Sequence, residues 1–242
     1  MRAGARVDPV LQTSTTPLHE AYDLAMLDLD GVVYIGPDAV PGASEHIARA
    51  RDAGMGVAFV TNNASRPAQD VASHLARVQV PASTADVVTS AQAAARMVLD
   101  RWDAGTRVLC LGGRGLVVAL EEAGLVPVGA DEDAEVAVSG YGPDLLWSEV
   151  MRAATRIRGG LPWIASNADL TIPTAYGVAP GHGVLVDMVA RSGRPLSAWL
   201  DEFPKFVSTA ELRYQREIWS DRRGLVAERA SLDARSSALA PV

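Results

Sequence analysis

The stretch that decides the fold is Leu24-Ala25-Met26-Leu27-Asp28-Leu29-Asp30-Gly31-Val32. A short apolar run that ends in acidic residues and a glycine reads as a buried strand meeting a turn. Side chains alternate along an extended backbone, so Asp28 and Asp30 project to one side and Leu29 to the other. Open parallel α/β sheets bind ligands at the carboxyl ends of their strands, where these two carboxylates lie. Gly31 permits a sharp turn directly afterwards. On these residues alone a solvated acidic turn is an equally good account.

Outward from this strand, the pattern predicts a helix over Ser44 to Ala53, stopped by Gly54. A second buried strand, Val57 to Val60, runs into Thr61-Asn62-Asn63. Ser65 then offers a helix N-cap, with Pro67 in the first turn and Val71, Leu75 and Val78 on one face. From about Asp86 to Val178 the alternation repeats. Helices are expected over Ser90 to Arg101, Leu116 to Ala123 and Trp147 to Arg158, and strands over Val108 to Leu111, Glu135 to Ser139 and Pro162 to Ser166. Such alternation predicts an α/β fold with a mainly parallel, Rossmann-like sheet, the middle forming a second α/β domain inserted into the first. The expected boundaries are a leader over 1–20, a core over 21–85, the inserted domain over 86–178, a return to the core over 179–198 and a divergent tail over 199–242.

Composition narrows the class. Of 242 residues, 48% are hydrophobic and 21% charged, ordinary for a globular protein that buries a core. A net charge of −7 provides no excess of cations to neutralise phosphates, which argues against nucleic acid and anionic membranes as partners. Cys110 is the single cysteine, so an internal disulfide is excluded. It sits in the apolar run Arg107 to Leu111 and reads as a buried structural thiol. With no long apolar run and no signal peptide, a cytoplasmic location is expected.

Thr61-Asn62-Asn63-Ala64-Ser65, at the second strand end, supplies a hydroxyl and turn amides that suit a phosphoryl oxygen. A helix cap explains the same residues. The two strand-end motifs in order resemble the haloacid dehalogenase superfamily of phosphatases. Gly140-Tyr-Gly-Pro143, Ser166-Asn-Ala-Asp169, Pro173 and Pro180-Gly-His-Gly183 are similar to the subfamily that carries an α/β cap after the second motif, which includes the p-nitrophenyl, glycerol-phosphate and ribonucleotide monophosphate phosphatases.

The resemblance implies hydrolysis of a small phosphate monoester through an aspartyl phosphate. In it Asp28 is the nucleophile, and Asp30 protonates the leaving alkoxide and then activates water. Thr61 and the backbone amides at Asn62 and Leu29 hold the phosphoryl oxygens. Mg2+ rests on the Asp28 carboxylate and the Asp30 carbonyl. Asn167, Asp169 and His182 are the implied substrate contacts from the cap.

The chain also departs from that family. A Gly-Lys-Pro and a Gly-Asp-x-x-x-Thr-Asp are implied downstream, and neither is found. Lys205, the only lysine, lacks the preceding glycine, and Ser220-Asp221-Arg222 is a faint echo of the acidic motif. The expectation is therefore an incomplete core, from truncation or a shifted frame after about Pro195, leaving the Asp28 strand as an exposed edge that invites association, with a second copy among the candidates. A catalytically impaired remnant is the competing reading. A third is a nucleotide-binding module, resting on Leu111-Gly-Gly-Arg-Gly115 alone, which fails the dinucleotide spacing and has a tight strand-to-helix turn as its plain explanation. His19, His46, His74 and His182 have no metal-ligand spacing.

Overall fold

A computed structural model of the chain describes residues 16–174 and 177–192. Lys205, Ser220-Asp221-Arg222 and the expected tail from 199 lie outside these residues, as does most of the expected leader.

After a short helix α1 (Leu18–Ala21), strand β1 (Leu24–Asp28) leads into a turn at Gly31, whose φ of 81° lies in the left-handed region open to glycine. A small hairpin follows, β2 (Tyr34–Ile35) with β3 (Asp38–Ala39). Helix α2 (Ala43–Asp52) then crosses to β4 (Gly56–Thr61), and α3 (Ala68–Arg77) crosses to β5 (Val87–Thr89). These strands form one parallel sheet in the order β1-β4-β5, with Asp28 level with Val60 and Thr61 level with Thr89. Leu29, Phe59 and Leu75 are fully buried at its centre, beside Val33, Val57 and Val71.

The second unit starts at α4 (Ser90–Leu99), capped by Thr89, whose hydroxyl accepts the Gln92 amide hydrogen at 3.2 Å. It continues through β6 (Arg107–Leu111), α5 (Arg114–Glu122), β7 (Val126–Val128), β8 (Val136–Ser139), α6 (Trp147–Arg158) and β9 (Trp163–Ala165). Its four strands are parallel, in the order β7-β6-β8-β9. An antiparallel hairpin, β10 (Thr171–Thr174) with β11 (Gly177–Pro180), leads to α7 (His182–Ser192). Leu109, Leu116, Leu120 and Ile164 are the large side chains of this second core.

The expected α/β class with Rossmann-like parallel sheets is what the chain adopts. Three local expectations need correction. Val87–Thr89 hydrogen-bonds to β4, so the first sheet extends past residue 86 and the sheets divide after Thr89. Residues 182–192 do not return to the first sheet. Val186 and Val189 pack into the cores of the second one, because α7 presents an apolar face to β6, β8 and α6. Ser65 does not cap α3, whose N-cap is Pro67; its amide and hydroxyl both donate to Asn63 Oδ1, at 2.9 and 2.7 Å, closing a local turn instead.

Candidate active site

The carboxyl ends of β1, β4 and β5 meet at one edge of the first sheet, and the sequence signals gather there. Asp28 ends β1 with its side chain exposed, while Leu29 turns inward and is fully buried. That anchor fixes the alternation, so Asp28 and Asp30 share the solvent side. The Asp28 Oδ1 accepts the Leu29 amide hydrogen at 2.7 Å. The Leu29 amide, expected to face a phosphoryl oxygen, is thus held by the neighbouring carboxylate.

Asp30 lies next in the turn, bridged to Tyr34 through the Tyr34 amide on Leu29 O and the Gly31 amide on Tyr34 O. Partial desolvation, and then the negative charge of Asp28, raise its carboxyl above the ordinary range. A carboxyl so shifted holds a proton more readily, as a general acid must. Tyr34 is buried beneath it; burial and the Asp30 charge push its phenol up to about 12, so it stays neutral.

His74 braces this turn from α3. Its ring meets Tyr34 edge-on, with centroids 4.5 Å apart and planes at 85°. Nε2 lies 3.1 Å from the Gly36 carbonyl and Nδ1 lies 3.2 Å from Arg77 Nη2. A carbonyl only accepts and a guanidinium only donates, so Nε2 carries the hydrogen and the ring is neutral. Burial lowers its pKa in agreement with that tautomer.

Thr61 ends β4, buried, with Oγ1 accepting the Asn63 amide hydrogen at 3.1 Å. Beyond it, Asn62 is the meeting point of the two units. Its carbonyl accepts from Ser90 Oγ at 2.8 Å and from Asn167 Nδ2 at 2.9 Å, and its own Nδ2 donates to Asp169 Oδ2 at 3.2 Å. So the structure joins Asn62, Asn167 and Asp169 directly, across more than a hundred residues of sequence.

His182 does not belong with them. It is buried in the second unit, Nε2 3.1 Å from Ser139 Oγ, and that oxygen accepts Trp163 Nε1–H at 2.9 Å. Burial, partly offset by hydrogen bonding to Ser139, lowers its pKa to about 4. A neutral core histidine cannot reach a substrate, which corrects the expected contact.

Two residues escaped the sequence reading. Arg66, exposed after the Thr61–Ser65 turn, acts electrostatically on Asp30, Tyr34 and His74 together, which places a cation within electrostatic reach of Asp30. Ser90, fully buried, ties the third strand end to Asn62. The clue to both was available: Arg66 closes the second motif, and Ser90 follows a third apolar strand.

Comparison with known proteins agrees with this geometry. A model of the haloacid dehalogenase-like hydrolases matches residues 25–126. Over those residues the chain is similar to that family. It is 39% identical over 168 residues to a D-glycerol 3-phosphate phosphatase of Mycobacterium tuberculosis, covering 69% of this chain and 47% of the relative. It is 34% identical to an acid sugar phosphatase of Staphylococcus aureus, covering 71% and 65%. Among solved structures, the glycerol phosphate phosphatase of M. tuberculosis in complex with magnesium superposes with a TM-score of 0.69 at 36% identity, covering 73% of this chain and 53% of that one. A 4-nitrophenylphosphatase from Thermotoga maritima gives 0.67 at 26% identity, covering 73% and 67%. The chain therefore spans about half the length of the first relative and under two thirds of the second. Among the described residues no helix is long and apolar enough to cross a membrane.

Proposed function

We propose that this haloacid dehalogenase-like chain is built to hydrolyse a small phosphate monoester, with Asp28 as nucleophile. The observation that carries the reading is the shared placement of Asp28 and Asp30 at the tip of β1, next to the Thr61–Arg66 turn of the adjacent strand. In that arrangement the Asp28 carboxylate attacks phosphorus in line with the ester oxygen, and the P–O bond to the alcohol breaks. The raised Asp30 carboxyl gives its proton to the departing alkoxide. The same group, now ionised, takes a proton from the water that attacks the aspartyl phosphate, releasing inorganic phosphate and restoring Asp28. The Thr61 hydroxyl and the Asn62 amide hold phosphoryl oxygens, and Arg66 adds the positive charge.

The donor set fits a hard divalent cation. Asp28 offers a carboxylate and Asp30 a carbonyl that, among the described residues, accepts none of the backbone hydrogen bonds, and the repulsion between the two acids is what a cation relieves. Among the described residues no group of three or more His, Cys, Asp or Glu side chains is placed to hold a metal. Mg2+ tolerates this, since it keeps several waters and binds through one or two carboxylates plus substrate oxygens. When bound it would neutralise charge between nucleophile and phosphate.

The relatives named for glycerol phosphate and sugar phosphates point to a polyol phosphate as the substrate class. The second unit serves as the cap in this reading, and Asn167 and Asp169 are its reach into the site. The test is hydrolysis of p-nitrophenyl phosphate and glycerol 3-phosphate with magnesium by the chain and by Asp28→Asn. Loss of turnover in the variant is expected; equal rates in the two would show that Asp28 is no nucleophile.

A further inference from the structure

The Gly112–Gly115 segment, set aside above as a nucleotide loop, has a different use. Gly115 lies in the first turn of α5 and is buried. Its backbone is helical, where alanine is preferred, so conformational freedom does not explain the glycine. Space does. A Cβ at Gly115 would stand 2.6 Å from Ala64 O and 2.6 Å from both Arg66 N and Arg66 C. These are backbone atoms of the other unit, and none can swing aside.

The seam extends on either side. The Gly115 amide donates to Ser65 O at 3.0 Å, so an unpaired amide of the α5 N-terminus is satisfied by the turn. A Cβ at Gly113 would meet Ser65 Cα at 3.1 Å, and one at Gly140 would meet Ala64 Cβ at 2.9 Å. Arg114 reaches past the seam to Asp70 Oδ2 at 2.7 Å. On the far side, Asn167 and Asp169 hold Asn62. The second unit thus grips the Thr61–Arg66 turn along its length.

We propose that Gly115 is a positioning residue: its bare Cα lets the second unit seat directly on the Ala64–Arg66 backbone, and that seat sets where Thr61 and Arg66 stand relative to Asp28 and Asp30. The proposal rests on the phosphatase reading for its kinetic consequence but not for its structural one. Positioning errors of an ångström cost rate steeply, on the order of a hundredfold.

The full chain is compared with Gly115→Ala, Gly113→Ala, Leu120→Ala and Asp28→Asn. The readouts are p-nitrophenyl phosphate kinetics with magnesium, and amide hydrogen exchange over residues 62–66. Gly115→Ala should lower kcat/KM about tenfold or more and speed exchange in the turn. Gly113→Ala, with its looser approach, should do the same to a smaller extent. Leu120→Ala opens the second core away from the seam; it should lower the melting temperature yet keep kcat/KM within about twofold and exchange in the turn unchanged. Wild-type exchange over 62–66 in Gly115→Ala would overturn the proposal whatever the activity, as would a loss of kcat/KM in Leu120→Ala equal to that in Gly115→Ala. If Asp28→Asn matched the wild type, the phosphatase reading would fail while exchange still decided the seam.

Discussion

His182 makes the stability of this protein acid-sensitive in a way that can be isolated. The ring is buried at 3% exposure, with Nε2 3.1 Å from the Ser139 hydroxyl oxygen, which takes the Trp163 indole hydrogen. Burial is what keeps the imidazole neutral, since a charged ring in this core would lose its hydration. Its folded pKa is about 4 against an ordinary 6.5. A base whose folded pKa is depressed binds fewer protons folded than unfolded, so its contribution is intact above pH 6.5 and falls away as pH drops towards 4. At 1.36 kcal/mol per pH step, the full loss is roughly 3 kcal/mol, a large share of a typical domain stability.

The assay is urea unfolding of the chain and of His182→Gln at several pH values from 7.5 down. Carboxylates and His74 titrate alike in both proteins and cancel in the difference. The variant pays a constant cost for imperfect packing, so at pH 7.5 it should be the weaker protein. As pH falls the wild type alone acquires the penalty of a proton taken up on unfolding, and the gap should narrow by roughly 3 kcal/mol over that window. A gap that stays flat from pH 7 to pH 4.5 would refute the assignment of His182 as a buried neutral base.

Two further outcomes follow from burial. Cys110, its thiol pushed to about 12 chiefly by burial, should react slowly with a disulfide reagent such as dithionitrobenzoate in the folded protein and at the ordinary rate in urea. Leu29, fully buried between the two acids, should cost roughly 2–5 kcal/mol when changed to Ala, measured as a lower urea midpoint.

Strands and helices with clean periodicity were legible from the residues. The Asp28 strand, the Thr61 strand and Trp147–Arg158 lie where the pattern puts them. What was hidden has specific physical causes. Val126–Val128 contains Pro127, which argues against a strand in general but is tolerated at a sheet edge, and β7 is the edge strand of its sheet. The β2–β3 hairpin has two-residue strands, too short for any period to show. Helix α7 begins at His182, between two glycines that read as loop. Those glycines are required by crowding: a Cβ on Gly181 or Gly183 would collide with the Asp169 and Ala168 carbonyls.

The residues of the candidate site were legible as far as their convergence goes, at Asp28, Asp30, Thr61 and Asn62 and again at Asn167 and Asp169, and His182 was misplaced. Asp28, Asp30, Thr61 and Asn62 could be placed because each ends a strand, and strand ends converge by construction in a parallel sheet. His182 was misplaced because a histidine between glycines looks the same in a binding loop as at the buried start of a helix. The glycine-rich stretches at 112–115 and 181–183 resisted local reading for a deeper reason. Each is shaped by what presses against it from elsewhere in the chain, Ala64–Arg66 in one case and Ala168–Asp169 in the other. Both pressed segments end on Asn62 or its neighbours, through the Asp169 carboxylate on one side and the continuous turn on the other. Motifs that look independent along the sequence therefore act on a single turn, and a change in any one of them should be felt first at Thr61–Arg66.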